Sequence, residues 1–125
     1  MNTHRLALVT IMAAGMISTN AMGQSKPAVT FVELGSVKCI PCKQMQPVMK
    51  AIEQKYGDQV KVVFHDVWTD EGRPQAALYK IRLIPTQVFL DAQGKEFFRH
   101  EGFYPEDEIH KLLQQRGLKT MGAGS

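Results

Sequence analysis

The chain has only two cysteines, and they stand together in Cys39-Ile40-Pro41-Cys42. Just before them runs Val29-Thr30-Phe31-Val32-Glu33-Leu34, β-branched and mostly apolar, the pattern of a strand covered on both faces. Gly35-Ser36 ends that run. After the cysteines, apolar residues recur at Met45, Val48, Met49, Ile52 and Tyr56, one face of a helix over 40–56 that Gly57 stops. A strand that leads into a cysteine pair, with a helix beginning on that pair, excludes most uses of two cysteines. They cannot staple a disulfide-scaffolded miniprotein or fill a four-cysteine zinc site. Haem attachment needs a histidine after the second cysteine, where this chain has Lys43. His65, His100 and His110 lack the spacing of zinc ligands. A purely structural disulfide closing so small a loop restrains the unfolded chain little.

The remaining reading is a reactive pair. Unpaired N–H groups and positive potential at a helix start stabilise a thiolate, the reactive form of cysteine. Cys39, at the first turn, is the expected nucleophile. Cys42 lies one turn in on the same side, within reach of the Cys39 sulfur, so the two can form a tight disulfide. Pro41 is tolerated at a helix start and stiffens the loop. Lys38 and Lys43 flank the pair; they are either solvated or support the thiolate by charge. Pro47 falls inside the helix and is expected to kink it.

Downstream, Val60–Val67 reads as a second strand and Asp70–Arg82 as a helix with Ala77, Leu78 and Ile81 inward. Thr86–Leu90 reads as a third strand, Asp91-Ala92-Gln93-Gly94 as a turn and Glu96–His100 as a fourth strand. The last helix, Pro105–Arg116, carries Glu106, Asp107 and Glu108 in its first turn and is capped by Gly117. Leu118–Ser125 is expected to be a flexible tail. The order β-α-β-α-β-β-α gives an α/β fold with a four-stranded mixed sheet, the first two strands parallel and the last two an antiparallel hairpin.

From Val29 to Gly117 the chain resembles thioredoxin, and in particular the exported thioredoxin-like proteins. Cys39-Ile40-Pro41-Cys42-Lys43 is similar to the family's active site. Pro47 matches its helix proline, Ile84-Pro85-Thr86 its cis-proline loop, and Glu101-Gly102-Phe103 its glycine turn beside the substrate groove. Glu33 falls where the family has a buried aspartate. The resemblance implies a thiol–disulfide oxidoreductase with no cofactor and no metal. It implies that Cys39 is the nucleophile, Cys42 the resolving cysteine, and the buried Glu33 carboxyl the group that takes or supplies the Cys42 proton. It places substrate contacts at Ile40, Pro41, Ile84, Pro85, Thr86 and Gly102, with the Thr86 backbone meeting a client strand. Trp68 stands equally for core or groove lining. The chain departs from the pattern at Lys38, where the family has tryptophan, at Ile40, where it has glycine, and at Val62, where it has a lysine paired with the buried acid. The family's extra N-terminal strand and helix have no counterpart, because 24–28 is only a short lead.

Residues 1–23 differ from the rest. The first acidic residue is Glu33; His4 and Arg5 precede the apolar run Leu6–Ile17, and Ala21-Met22-Gly23 fits a small-x-small cleavage site. This is the order of a secretory signal peptide, and its apolar run is too short to span a bilayer. Cleavage after Gly23, or after the rival Ala21, implies a periplasmic or secreted protein. For the whole chain, 125 residues, 44% hydrophobic and 22% charged, fit one globular domain. A net charge of +3 is too small to imply a nucleic-acid partner. The expected partners are disulfide-containing client proteins and, by resemblance, a membrane electron donor of the DsbD/CcdA type; the protein is expected to act as a monomer. Pro41 favours a reductase. The alternatives are a periplasmic oxidant or isomerase and, from other classes, a Cu(I) metallochaperone holding metal through both thiolates or a binding module without enzymatic activity.

Overall fold

A computed structural model describes residues 25–122; the 1–23 signal-peptide reading lies outside the described residues. Seven main elements follow one another: β1 (Val29–Gly35), α1 (Ile40–Tyr56), β2 (Val60–Asp66), α2 (Arg73–Leu78), β3 (Thr86–Leu90), β4 (Glu96–Glu101) and α3 (Glu106–Gln115). The sheet order is β2-β1-β3-β4. β1 and β2 are parallel, with Val29 beside Val60; β3 is antiparallel to both β1 and β4.

Alternation along β1 divides the core. Val29 and Phe31 face α1 and α3, packing with Met45, Ile52, Ile109 and Leu113, and Phe31 stacks on Phe89 at 4.8 Å. Val32 and Leu34 face the other way, onto Val67, Val88 and the side chains Ala76, Tyr79 and Ile81 in and just after α2. Both faces of the central strand are therefore covered, which is why its sequence is nearly continuously apolar. Helix α1 runs through Pro47 without a break.

Two expectations change. The second helix is much shorter than Asp70–Arg82. Before it, Thr69 turns the chain: its hydroxyl donates to the Asp66 carbonyl and accepts from the Gly72 N–H. After it, Lys80 adopts a left-handed φ of 53°, with Lys80 N–H on the Ala77 carbonyl and Ile81 N–H on the Ala76 carbonyl. That is a Schellman ending in which lysine takes the place usually held by glycine. Its inward residues are Ala76, Tyr79 and Ile81, whereas Leu78 is exposed. The tail is also tied down as far as Met121. Leu118 is buried, the Lys119 carbonyl accepts from the Gln59 amide, and Met121 N–H donates to the Lys55 carbonyl.

Candidate active site

The register gathers several loops at one end of the sheet. Gly35 lies beside Asp66, Leu34 beside Thr86, and Thr86 beside Glu101. The loop to α1, the loop after β2, the start of β3 and the end of β4 therefore leave the sheet together. Open α/β sheets place their sites at the C-terminal ends of parallel strands, and this end is that of β1 and β2.

Cys39 is the N-cap of α1, with extended backbone, and its carbonyl accepts the first helical bond from Lys43 N–H. It is disulfide-bonded to Cys42, with their Cα atoms 5.1 Å apart. Cys42 is fully buried, while Cys39 retains 8% exposure. Of the two, only Cys39 retains any exposure, the asymmetry expected of an attacking and a resolving cysteine. No acidic side chain occupies the first turn of α1, so nothing there opposes a thiolate. Lys38 and Lys43 are both exposed, and the Lys38 backbone N–H also donates to the Ser36 hydroxyl at 3.2 Å.

Asp66, which the sequence did not single out, fastens this loop. Its two carboxylate oxygens accept from Val37 N–H at 3.2 Å and Trp68 N–H at 3.0 Å. Desolvation pushes its pKa up, but these N–H donors, the Ser36 hydroxyl and the Lys38 charge outweigh it and hold the carboxyl below its ordinary value. No sequence signal marks this role, because Val37 and Asp66 meet only through strand register.

Glu33 is completely buried. It lies two residues before Gly35, on the same face of β1. A Cβ on Gly35 would stand 3.1 Å from the Cys42 sulfur, so Cys42 packs directly against the backbone there. Glu33 thus sits about 7 Å along the strand from the Cys42 contact. One of its oxygens accepts from the Gln87 amide at 3.2 Å. Burial pushes its pKa from 4.5 up to about 8, against the lowering effect of the Gln87 bond. Val62 is partly buried against the core and places no charge in this region.

The Ile84–Pro85 peptide is cis. The Pro85 carbonyl accepts from Gly102 N–H at 2.7 Å, and Gly102 holds a left-handed φ of 89°, natural for glycine. Thr86 does not meet the expectation of a client contact. It is fully buried, lies between Leu34 and Glu101, and its hydroxyl donates to the Leu83 carbonyl. With strands on both sides, it has no edge to offer. Ile84 is partly exposed and, among the described residues, its N–H and C=O bond to no other protein group. Ile40 is 72% exposed, Pro41 is exposed, and Trp68 is 55% exposed and outside the core.

Comparison with known proteins agrees with this geometry. The family model for the thioredoxin-like domain matches residues 17–117. Thioredoxin from Bacillus subtilis is 29% identical over 92 residues, which is 74% of this chain and 86% of that protein. Thioredoxin from Staphylococcus aureus is 31% identical over 88 residues, 70% of this chain and 81% of that one. The solved thioredoxin from Fasciola hepatica superposes with a TM-score of 0.62 at 27% identity, covering 72% of this chain and 82% of its own. The chain belongs to the thioredoxin-like domain family. With its Cys39–Cys42 pair, it is a thiol–disulfide oxidoreductase.

Proposed function

We propose that this protein is an exported reductase of protein disulfides. The observation that carries the chemistry is the pair itself: Cys39 at a helix start and retaining a small exposure, Cys42 fully buried behind it. In the reduced protein the Cys39 thiolate attacks a client disulfide, breaking it and forming a mixed disulfide while one client thiolate leaves. Cys42 then gives its proton to Glu33 and attacks the Cys39 sulfur. This releases the second client thiolate and leaves Cys39–Cys42 oxidised. Client docking is supported by Val37, Ile40, Trp68, Leu83 and Phe103, exposed apolar side chains on the loops at this end of the sheet. Ile84, rather than Thr86, offers the backbone groups to a client strand.

Export rests on the signal-like composition of 1–23. The reducing direction rests on Pro41 and on the thioredoxins among the relatives. An exported reductase needs electrons from the cytoplasm, and a membrane donor of the DsbD/CcdA type would supply them. The test is insulin reduction together with the reduction potential of the pair. A value near thioredoxin's, about −270 mV, supports a reductase; one near DsbA's, about −120 mV, overturns the direction. Absence of dithiol-dependent turnover combined with tight Cu(I) binding would overturn the oxidoreductase mechanism itself. Cell fractionation with N-terminal sequencing tests export; a protein found only in the cytoplasmic fraction with Met1 intact would refute it.

A further inference from the structure

Among the described residues, three buried side-chain oxygens have no hydrogen-bond partner: one each on Glu33, Gln87 and Glu101. The first two belong to residues already joined by a bond. Gln87 Nε2 donates to Glu33 Oε1, leaving Glu33 Oε2 and Gln87 Oε1 unsatisfied. Both residues are fully buried and stand directly opposite each other on β1 and β3. Two buried acceptors cannot satisfy each other, and each orphan is costly in a core. A single proton on Glu33 Oε2, donated to Gln87 Oε1, satisfies both.

We infer that Glu33 and Gln87 close a two-bond acid–amide ring that stores the Cys42 proton while the cysteines are joined, with Gln87 as the positioning residue. The inference rests on the reductase reading above. A primary amide suits this role because it serves both states of its partner: its N–H₂ donates to a carboxylate, and its carbonyl accepts from a carboxylic acid. In the forward direction, the Cys42 S–H bond breaks, its proton passes to Glu33 Oε2, and the electron pair on sulfur forms the new S–S bond. In the return direction, a donor thiolate attacks the Cys39 sulfur. Cys42 leaves as a thiolate and recovers the proton from Glu33, and a second donor thiolate then displaces Cys39 as thiolate. The donor is oxidised to a disulfide, and one proton alternates between Cys42 and Glu33.

The surroundings suit storage. Across the sheet the row containing Glu33 reads Phe64, Glu33, Gln87 and His100. β2 therefore presents an apolar ring. The titratable groups packed on this face are Cys42 and Tyr56 from α1, His100 from β4, Tyr104 just before α3 and His110 from α3, with Tyr56 and His110 hydrogen-bonded to each other. His100 is turned to the Phe103 carbonyl and stacked on Tyr104 at 4.2 Å. No lysine or arginine forms an ion pair with Glu33 among the described residues, so a neutral acid is not opposed by a neighbouring cation.

The test is a pH titration by NMR of the oxidised protein, reading the Glu33 side-chain carbonyl carbon and the Gln87 side-chain amide. The expected result is a neutral Glu33 acid at neutral pH and a Gln87 amide that shifts with the same midpoint as Glu33. An ionised Glu33 at neutral pH, or a Gln87 amide indifferent to its titration, would overturn the inference. In Gln87→Met, which fills the space without polar atoms, the Glu33 midpoint should rise by about one pH unit, since the lost bond to the anion is the stronger of the two. Resolution of the mixed disulfide at neutral pH should slow about tenfold, with Cys39 alkylation unchanged. Equal slowing of both steps would overturn the positioning role. Insulin turnover separates the two levels. Turnover without a shared titration refutes the ring and leaves the reductase reading standing. A shared titration without turnover retains the ring and refutes the reductase reading.

Discussion

Glu33→Gln should remove a pH dependence of stability that runs opposite to ordinary acid denaturation. In the folded, oxidised protein burial pushes Glu33 from 4.5 up to about 8. The unfolded chain releases this proton near its ordinary value, while the folded chain keeps it until far higher pH. Folding therefore binds a proton across the interval, and stability falls as pH rises through it. The slope is about 1.4 kcal/mol per pH unit, so the whole window is worth at most about 5 kcal/mol. Between pH of about 5.5 and 8.5 the loss should be about 3 kcal/mol, a large share of a small domain's stability. The amide introduced by the substitution keeps the shape of the acid and can pair with the Gln87 amide, but it has no proton to lose. The assay is guanidinium unfolding of the oxidised wild type and variant by far-UV circular dichroism at several pH values. Asp66, Asp91, Glu101 and Glu106 are all held below their ordinary values, so their contributions are lost on acidification below this window, and they are common to both proteins. The curves should converge at the acid end and separate toward the alkaline end, with the variant more stable. Parallel curves would show that Glu33 ionises in the folded protein at its ordinary pH, refuting the desolvation argument.

Other expectations concern the cysteines and their supports. Cys42→Ala should accumulate mixed disulfides with clients on non-reducing gels and Cys39→Ala none; the reverse would show that Cys42 is the attacking sulfur. A Cβ on Gly72 would lie 1.9 Å from the Asp66 carbonyl oxygen, so Gly72→Ala should destabilise by about 3 kcal/mol or more in urea unfolding. An unchanged midpoint would mean that this loop relaxes freely. Arg99 donates to the carbonyls of Tyr79 and Lys80, holding the chain before Pro85 against β4. Arg99→Ala should lower stability by about 1–2 kcal/mol and raise proteolytic cleavage within 79–84; an uncut loop would count against the clamp.

What the sequence made legible was whatever depends on near neighbours along the chain. The cysteine pair, the strand before it and the helix after it are set by local pattern and spacing, as are the β3–β4 hairpin and the Gly117 cap. The end of α2 was not legible, because it turns on Lys80 adopting a left-handed conformation that lysine rarely takes. Thr86 departs from expectation for a related reason: the resemblance of Ile84-Pro85-Thr86 to a cis-proline loop implies a client contact, but its two flanking strands remove it.

Gln87 shows the same limit at the functional site. In Thr86-Gln87-Val88-Phe89-Leu90 nothing along the chain marks Gln87 as a partner for Glu33. Only the pairing of β1 with β3 turns it inward against Glu33. Val62 was legible as the loss of a charge partner, but what replaces that partner was not, since the replacement comes from the opposite neighbouring strand. Substituting an amide for a cation changes the physics as well as the identity of the partner. A buried carboxylate beside a cation is held ionised, whereas one beside an amide in an apolar setting is held neutral. The two arrangements load the proton at different stages of the redox cycle. The charge state of Glu33 in the oxidised protein is thus the property by which this site differs most from one built on a buried ion pair.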